Sequence, residues 1–219
     1  LNNHYFQNKR VLITAGPTYE KLDPVRFIGN FSTGKMGFAL AKALAENGAE
    51  VVLIAGPTCL SIEHPNIQLI AVVSAIEMRD EVLKHFSNAD IAIMSAAVAD
   101  YRPKTFSETK IKKKENELTI ELVKNPDIFK TLGEQKSDNQ ILIGFALETN
   151  NELENARKKL ADKNGDAIVL NSLNDIGAGF KHDTNKISII LKNGLIFEYS
   201  LKTKNEVAQD ILQCISDNF

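Results

Sequence analysis

Apolar positions along the chain fall into strand-length runs separated by stretches with helical spacing. Residues 11–14 form the first run, a helical pattern follows over about 35–47, and 50–54 forms a second run. Residues 67–72 predict a third strand. Ser74 and Glu77 then stand at capping-box spacing and open a helix to about Phe86, before a fourth strand at 90–95. Unbroken apolar runs of this kind belong to parallel strands covered on both faces. The pattern predicts an α/β fold: a Rossmann-like, mostly parallel sheet flanked by helices.

After Ala99 the pattern changes. A polar, lysine-rich stretch over 101–116 leads into 118–123, where Leu118, Ile120 and Leu122 alternate with polar residues and predict a strand outside the parallel core. The region of about 101–123 therefore reads as an inserted arm and flap. Pro126 is expected in the first turn of a short helix, 140–148 as a fifth parallel strand, 152–164 as a charged amphipathic helix and 166–171 as a sixth strand. Asn193-Gly194 marks a tight hairpin between 186–191 and 195–200, and 203–216 closes as a helix. The tetrapeptide Ala-Gly-Pro-Thr occurs at 15–18 and again at 55–58, each time at a strand exit. A single domain over 1–219 is expected.

Composition narrows the function classes. With 43% apolar and 25% charged residues the chain is neither disordered nor collagen-like nor a coiled-coil rod. The formal charge of −2 supplies no global basic surface for nucleic acid, so any phosphate binding must be local. Cys59 and Cys214 form no CxxC or Cys/His cluster; neither a zinc site nor a disulfide is indicated, and both read as buried thiols in a reducing compartment. No apolar run reaches membrane length and no signal pattern opens the chain, which makes a cytoplasmic protein the expectation. The first residue is Leu1, as expected of a fragment of a longer polypeptide.

The segment Gly29-Asn-Phe-Ser-Thr-Gly34-Lys35-Met36-Gly37 matches the GxxxxGK spacing of a phosphate-binding loop but carries Met36 where a hydroxyl would bind magnesium. That argues against a P-loop nucleotidase while keeping an anion-binding helix end. The plainer reading is a glycine-rich loop with Ser32 capping a helix. A nicotinamide-dependent oxidoreductase is the alternative function: Ser95-Ala-Ala-Val resembles a fourth-strand exit of short-chain dehydrogenases. Against it, no GxGxxG follows Thr14, and Tyr101 and Lys104 stand at YxxK spacing rather than YxxxK.

Several segments in order carry a more specific likeness: Asp23-Pro-Val-Arg-Phe-Ile-Gly-Asn30, Phe31 to Gly37, Ala96-Ala-Val-Ala-Asp100-Tyr-Arg, Lys110-Ile-Lys-Lys113 and Val123-Lys-Asn-Pro-Asp-Ile128. Gly144-Phe145-Ala146 and Ala156-Arg-Lys-Lys159-Leu-Ala-Asp-Lys163 extend it. Together they resemble the phosphopantothenoylcysteine synthetase family, the second activity of the bifunctional bacterial coenzyme A biosynthesis flavoprotein. The likeness spans roughly 9–215. Pro17, where a second glycine is common, and Ser32-Thr33 in place of Ser-Ser are departures that remove no reacting group.

The resemblance implies a ligase that joins 4′-phosphopantothenate and L-cysteine, using CTP as co-substrate and Mg2+. The substrate carboxylate attacks the nucleotide α-phosphate to give an acyl-cytidylate and pyrophosphate, and the cysteine amine then displaces CMP. An anion approaching a triphosphate needs cations and N–H donors around it. By the resemblance, Lys159 and Lys163, four apart on one helix face, hold phosphates, and Lys110, a catalytic and nucleotide-binding residue, sits on a flexible flap that closes over the nucleotide and the acyl-phosphate intermediate. Asp100 contacts the nucleotide or its metal, Asn125, Pro126, Asp127 and Ile128 form the nucleotide-binding segment, and Phe145 lies beside the base. Asn30 binds the carboxylate and acyl-phosphate region, and Ala97 offers main-chain contacts to the same substrate. The likeness further implies a homodimer paired through the arm, fusion in nature to a flavin-dependent decarboxylase ahead of this region, and no flavin site here.

Overall fold

The computed structural model describes residues 4–112, 117–148, 151–172 and 183–219. In chain order the elements are β1 (Arg10–Ala15), β2 (Tyr19–Lys21), β3 (Phe27–Gly29), α1 (Lys35–Glu46), β4 (Glu50–Ala55), β5 (Ile67–Ala71), α2 (Ala75–Phe86) and β6 (Ile91–Met94). Then follow β7 (Tyr101–Pro103), β8 (Leu122–Lys124), α3 (Ile128–Gln135), β9 (Ile141–Glu148), α4 (Glu152–Asp162) and β10 (Ala167–Ser172). The last are β11 (Thr184–Asn185), β12 (Ile187–Leu191), β13 (Ile196–Glu198), β14 (Lys202–Thr203) and α5 (Lys204–Asn218).

Eight strands form one sheet in the order β13-β12-β10-β9-β6-β1-β4-β5. The six from β10 to β5 run parallel, and β12 and β13 add an antiparallel edge. Alternation within each strand divides the core between the two faces. Ile13, Leu53, Ile93, Ile143 and Val169 pack beneath α1 and α5. Their neighbours Leu12, Ile54, Ala92, Leu142 and Ile168 pack beneath α2, α3 and α4. This is the α/β, Rossmann-like, mostly parallel arrangement expected from the strand runs. Among the described residues no helix is long and apolar enough to cross a membrane.

From β1 the chain passes through α1 to β4 on one side, and from β5 it returns through α2 to β6 on the other side of β1. Such a reversal opens a crevice beyond the carboxyl ends of the two strands, where open α/β sheets bind ligands. The two Ala-Gly-Pro-Thr turns lie side by side there: Gly56 N–H donates to the Ala15 carbonyl at 2.9 Å.

Four local expectations need correction. Residues 118–121 are not strand; only Leu122–Lys124 pairs, with Tyr101–Pro103, as a separate two-stranded sheet. Pro126 lies outside α3, because Asp127 is its N-cap and accepts from Lys130 N–H at 3.0 Å. Ser32 does not cap α1: the N-cap is Gly34, at φ 82°, a left-handed conformation that a residue with a Cβ adopts only with strain. Cys59 is exposed in the loop after β4, whereas Cys214 is buried on α5. The loop joining β4 to β5 runs over the surface, where no second layer covers a side chain. Lys113, in the lysine run expected to form a flap, falls outside the described residues.

Candidate functional site

Two cavities adjoin at the crevice. The first, about 430 Å³, lies between the β6 exit, the segment from Lys124 to Phe129, and the face of α4 that carries Lys159 and Lys163. The second, about 340 Å³, lies between the Asn30-to-Gly37 loop, Ser95 to Val98, and the start of α5. Ala96, Val98, Asp100 and Phe145 line both, so occupants of the two cavities meet across these residues.

In the first cavity Lys163 follows the last turn of α4 and pairs with Asp127 Oδ2 at 2.6 Å. Lys159, one turn earlier, donates from Nζ to the Phe145 carbonyl at 2.8 Å. Burial raises the Asp127 carboxyl, but the Lys163 hydrogen bond, the Lys130 N–H and the charges of Lys163 and Lys159 outweigh it and leave the pKa below the ordinary value. Asp127 is therefore an anion that keeps Lys163 turned toward the cavity.

Asn125 is held within the protein. Its Nδ2 donates to the Ala99 carbonyl at 2.8 Å, its Oδ1 accepts from Arg102 Nη1 at 3.1 Å, and its backbone N–H donates to the Asp100 carbonyl at 2.8 Å. Asn125, expected in the nucleotide-binding segment, thus also clamps the Asp100 turn. Arg102, which the sequence did not single out, completes the clamp by donating to the Lys124 carbonyl at 2.7 Å. Tyr101 lines the first cavity, while Lys104 pairs on the surface with Glu121 at 2.7 Å, so the two residues of the oxidoreductase alternative point to different places.

The second cavity brings Asn30 and Ala97 into direct contact: Asn30 Nδ2 donates to the Ala97 carbonyl at 2.9 Å across 67 residues of sequence. The loop after Asn30 is pinned by Thr58 Oγ1, which donates to the Thr33 carbonyl at 2.9 Å. It delivers the first turn of α1, whose N–H groups lack intrahelical acceptors, to the cavity wall. Lys204, at the start of α5, lines the same cavity at 8% exposure. Burial and then the charge of Lys35 pull its pKa down, against the opposing charge of Asp183. The Thr203–Glu206 capping box marks the helix start in sequence, but nothing local says that Lys204 turns inward.

Lys110 is exposed and lines neither cavity. Its neighbour Ile111 is hydrogen-bonded to the β2–β3 hairpin. Among the described residues no group of three or more His, Cys, Asp or Glu side chains is disposed to hold a metal ion. Asp100 and Asp127 are the carboxylates on the first cavity wall, and Asp100 is exposed there.

A family model described as the DNA/pantothenate metabolism flavoprotein C-terminal domain matches residues 6–219. The coenzyme A biosynthesis bifunctional protein CoaBC of Bacillus subtilis (strain 168) is 49% identical over 210 residues, covering 96% of this chain and 52% of that protein. A protein of an unknown prokaryotic organism, named cysteine/cysteine sulfinic acid decarboxylase, is 53% identical over 207 residues, covering 94% of this chain and 58% of its own length. The chain thus spans little more than half of these relatives. A crystal structure of the C-terminal domain of a CoaBC protein superposes with a TM-score of 0.82 at 47% identity, covering 96% of this chain and 95% of that one.

Proposed function

The chain belongs to the DNA/pantothenate metabolism flavoprotein C-terminal domain family, and from that premise we propose that it joins 4′-phosphopantothenate to L-cysteine through an acyl-cytidylate, with CTP as co-substrate. The observation that carries the reading is the pair of adjoining cavities. Of the residues expected to hold a nucleotide all but Lys110 line the first, Asn30 and Ala97 line the second, and the two meet at Asp100 and Phe145. A reaction that couples two bound substrates through a shared phosphorus centre needs such a junction.

The steps balance as follows. A carboxylate oxygen of phosphopantothenate attacks the α-phosphorus, and the bond to the β-phosphate breaks, releasing pyrophosphate. The cysteine amine then attacks the acyl carbon, CMP leaves, and the amine proton passes to solvent. Lys159 and Lys163 neutralise the triphosphate, at the cost of the Phe145 and Asp127 contacts they make without it. Asn30 presents a neutral amide beside the reacting carboxylate, where an acidic side chain would repel it. Lys110 supplies a further cation from the flap. Because the Asn125 amide is already bonded to Ala99 and Arg102, the edge of the cytosine is read by main-chain groups of the Asn125-to-Ile128 segment, with Phe145 beside the ring.

Asp100 fits a role toward Mg2+, since that ion takes one or two carboxylates and completes its shell with phosphate oxygens and water. When bound, it supplies charge neutralisation at the phosphates. The decarboxylase name of one relative belongs to a protein of which this chain spans 58%, so that protein has a further region outside the match to which the name can refer. Pairing into a homodimer through the arm would cover Leu118, Ile120 and Leu122, which are 58%, 37% and 42% exposed.

The test is CMP formation from CTP, magnesium, phosphopantothenate and cysteine. Labelled pyrophosphate should exchange into CTP with phosphopantothenate alone and not with cysteine alone. Exchange that strictly requires cysteine would refute the acyl-cytidylate, and equal kcat/KM for CTP and ATP would refute base reading by the Asn125-to-Ile128 segment. A fully active 24 kDa particle in light scattering would refute the dimer.

A further inference from the structure

Asp23 is a buried charge that the reaction scheme above leaves without a task. It sits in the turn between β2 and β3 at 1% exposure. Its Oδ1 accepts from the backbone N–H groups of Val25 and Arg26, each at 2.8 Å, which is all that closing the turn requires. Its Oδ2 accepts from Arg26 Nε at 3.0 Å, from Arg26 Nη2, and from the N–H of Ile111 at 3.1 Å. Arg26 Nη2 in turn donates to the Ile111 carbonyl at 2.9 Å. One ion pair thus grips both the N–H and the C=O of a residue 88 positions away, the immediate neighbour of Lys110. A second tie lies four residues earlier, where Ser107 N–H donates to the Leu22 carbonyl at 3.0 Å. The Arg26 hydrogen bond holds the Asp23 carboxyl well below the ordinary carboxylate range, against burial and with help from the Val25, Ile111 and Arg26 N–H groups.

The far end of the same hairpin is Asn30, whose amide reaches Ala97 in the second cavity. We propose that Asp23, acting through Arg26, is a positioning residue for Lys110: it fixes the root of the flap lysine to the hairpin that carries Asn30. This rests on the ligase reading. With Ile111 held on both sides, the backbone next to Lys110 starts from a fixed root, and less of the flap has to be ordered before Lys110 approaches the reacting phosphate. Without the clamp, the backbone from Ser107 onward must also be ordered at each turnover, an entropic cost charged to the reaction. A turn aspartate with a purely local role would bond its own turn and leave Ile111 to solvent.

Asp23→Asn keeps the volume and the Oδ1 acceptor for the turn, but sets an amide N–H2 against the donors of Arg26 and Ile111. It should lower kcat for CMP formation by about tenfold or more while KM for CTP stays within about twofold, since the first cavity is built from other elements. Asp23→Glu, which restores the charge, should recover part of the loss. Combined with Lys110→Ala, Asp23→Asn should add nothing, because non-additivity marks one residue acting through another. Hydrogen exchange at the Ile111 amide should accelerate in Asp23→Asn. Should that variant not fold, Arg26→Lys breaks the same double grip and takes its place in the double-variant comparison. Additive losses, or wild-type kcat in a folded Asp23→Asn chain, overturn the role of Asp23. Absence of CMP from the wild-type chain overturns the ligase reading itself, and these two failures are read from different samples.

Discussion

Gly37→Ala should destabilise the chain and slow catalysis, although helix propensity by itself argues for the opposite sign. Gly37 is the third residue of α1, a position where alanine in place of glycine gains up to about 1 kcal/mol when nothing else intervenes. Here a Cβ would lie 2.5 Å from Ala15 Cβ and 2.8 Å from Ser95 Oγ, whereas carbon atoms in contact sit about 3.5–4.0 Å apart. The shortfall against Ala15 is therefore about 1 Å or more. Ala15 ends β1 in register with Ala55 of β4, and Ser95 Oγ donates to the Thr14 carbonyl at 2.6 Å. Neither can retreat without disturbing the sheet, so α1 must lift. Overpacking of this kind costs about 1–3 kcal/mol, which outweighs the propensity gain and leaves a net loss of up to about 2 kcal/mol. The lift also displaces the loop that bears Asn30, stretching its 2.9 Å bond to Ala97 beyond hydrogen-bonding range. A misplacement of about 1 Å at a reacting group costs about 10²-fold in rate. Urea midpoints at unchanged m-value measure the first effect, and CMP release measures the second. Gly194→Ala is the control: at φ 92° with nothing within 4 Å of the added methyl, it should lose about 1 kcal/mol to backbone strain and leave turnover unchanged. A Gly37→Ala chain as stable as wild type, with unchanged CMP release, would refute the packing argument.

Asp127→Asn keeps the α3 cap but removes the charge opposite Lys163; since Asp127 is 42% exposed, the pair should contribute less than about 1 kcal/mol. The folded carboxyl lies below its unfolded value, so this stability is present above about pH 4 and is lost as pH falls through the folded value; wild-type and variant urea midpoints should differ at pH 7 and converge in acid. Lys136→Met removes the ammonium opposite Asp166 in a seam where the two side chains are only 9% and 15% exposed, and should cost about 3 kcal/mol in urea unfolding; adding Asp166→Leu should recover little of it, because Leu142 N–H, which donates to Asp166 Oδ2 at 2.8 Å, then loses its acceptor. With a thiol reagent at pH 8, Cys59 should react rapidly, while Cys214, whose thiol burial pushes up to about 11, should react only on unfolding; equal rates would contradict the burial assignment.

The strand runs, the Ser74–Glu77 cap of α2, the Thr203–Glu206 start of α5 and the Asn193-Gly194 hairpin were legible in the chain, because each depends on residues within a turn or two of one another. Parallel strands buried on both faces also made the α/β class readable, and the exit of the fourth strand placed Asp100 at the ligand edge of the sheet, while the other candidate site residues came from the family resemblance. What those residues do to each other was settled only when the strand order and register brought distant segments together. Asn30 meets Ala97, Lys163 meets Asp127, and Asp23 meets Ile111 through contacts that span tens of residues. The family resemblance assigned Asn125 to the nucleotide-binding segment, yet the tertiary structure engages its amide with Ala99 and Arg102. It turns Lys204 inward and leaves Cys59 outside. The physical reason is that backbone preference and amphipathic period act along the chain, whereas burial and pairing of a particular polar group depend on which layer happens to cover it. That cover is set by two cores packing on opposite faces of one sheet, a collective property that no single segment carries.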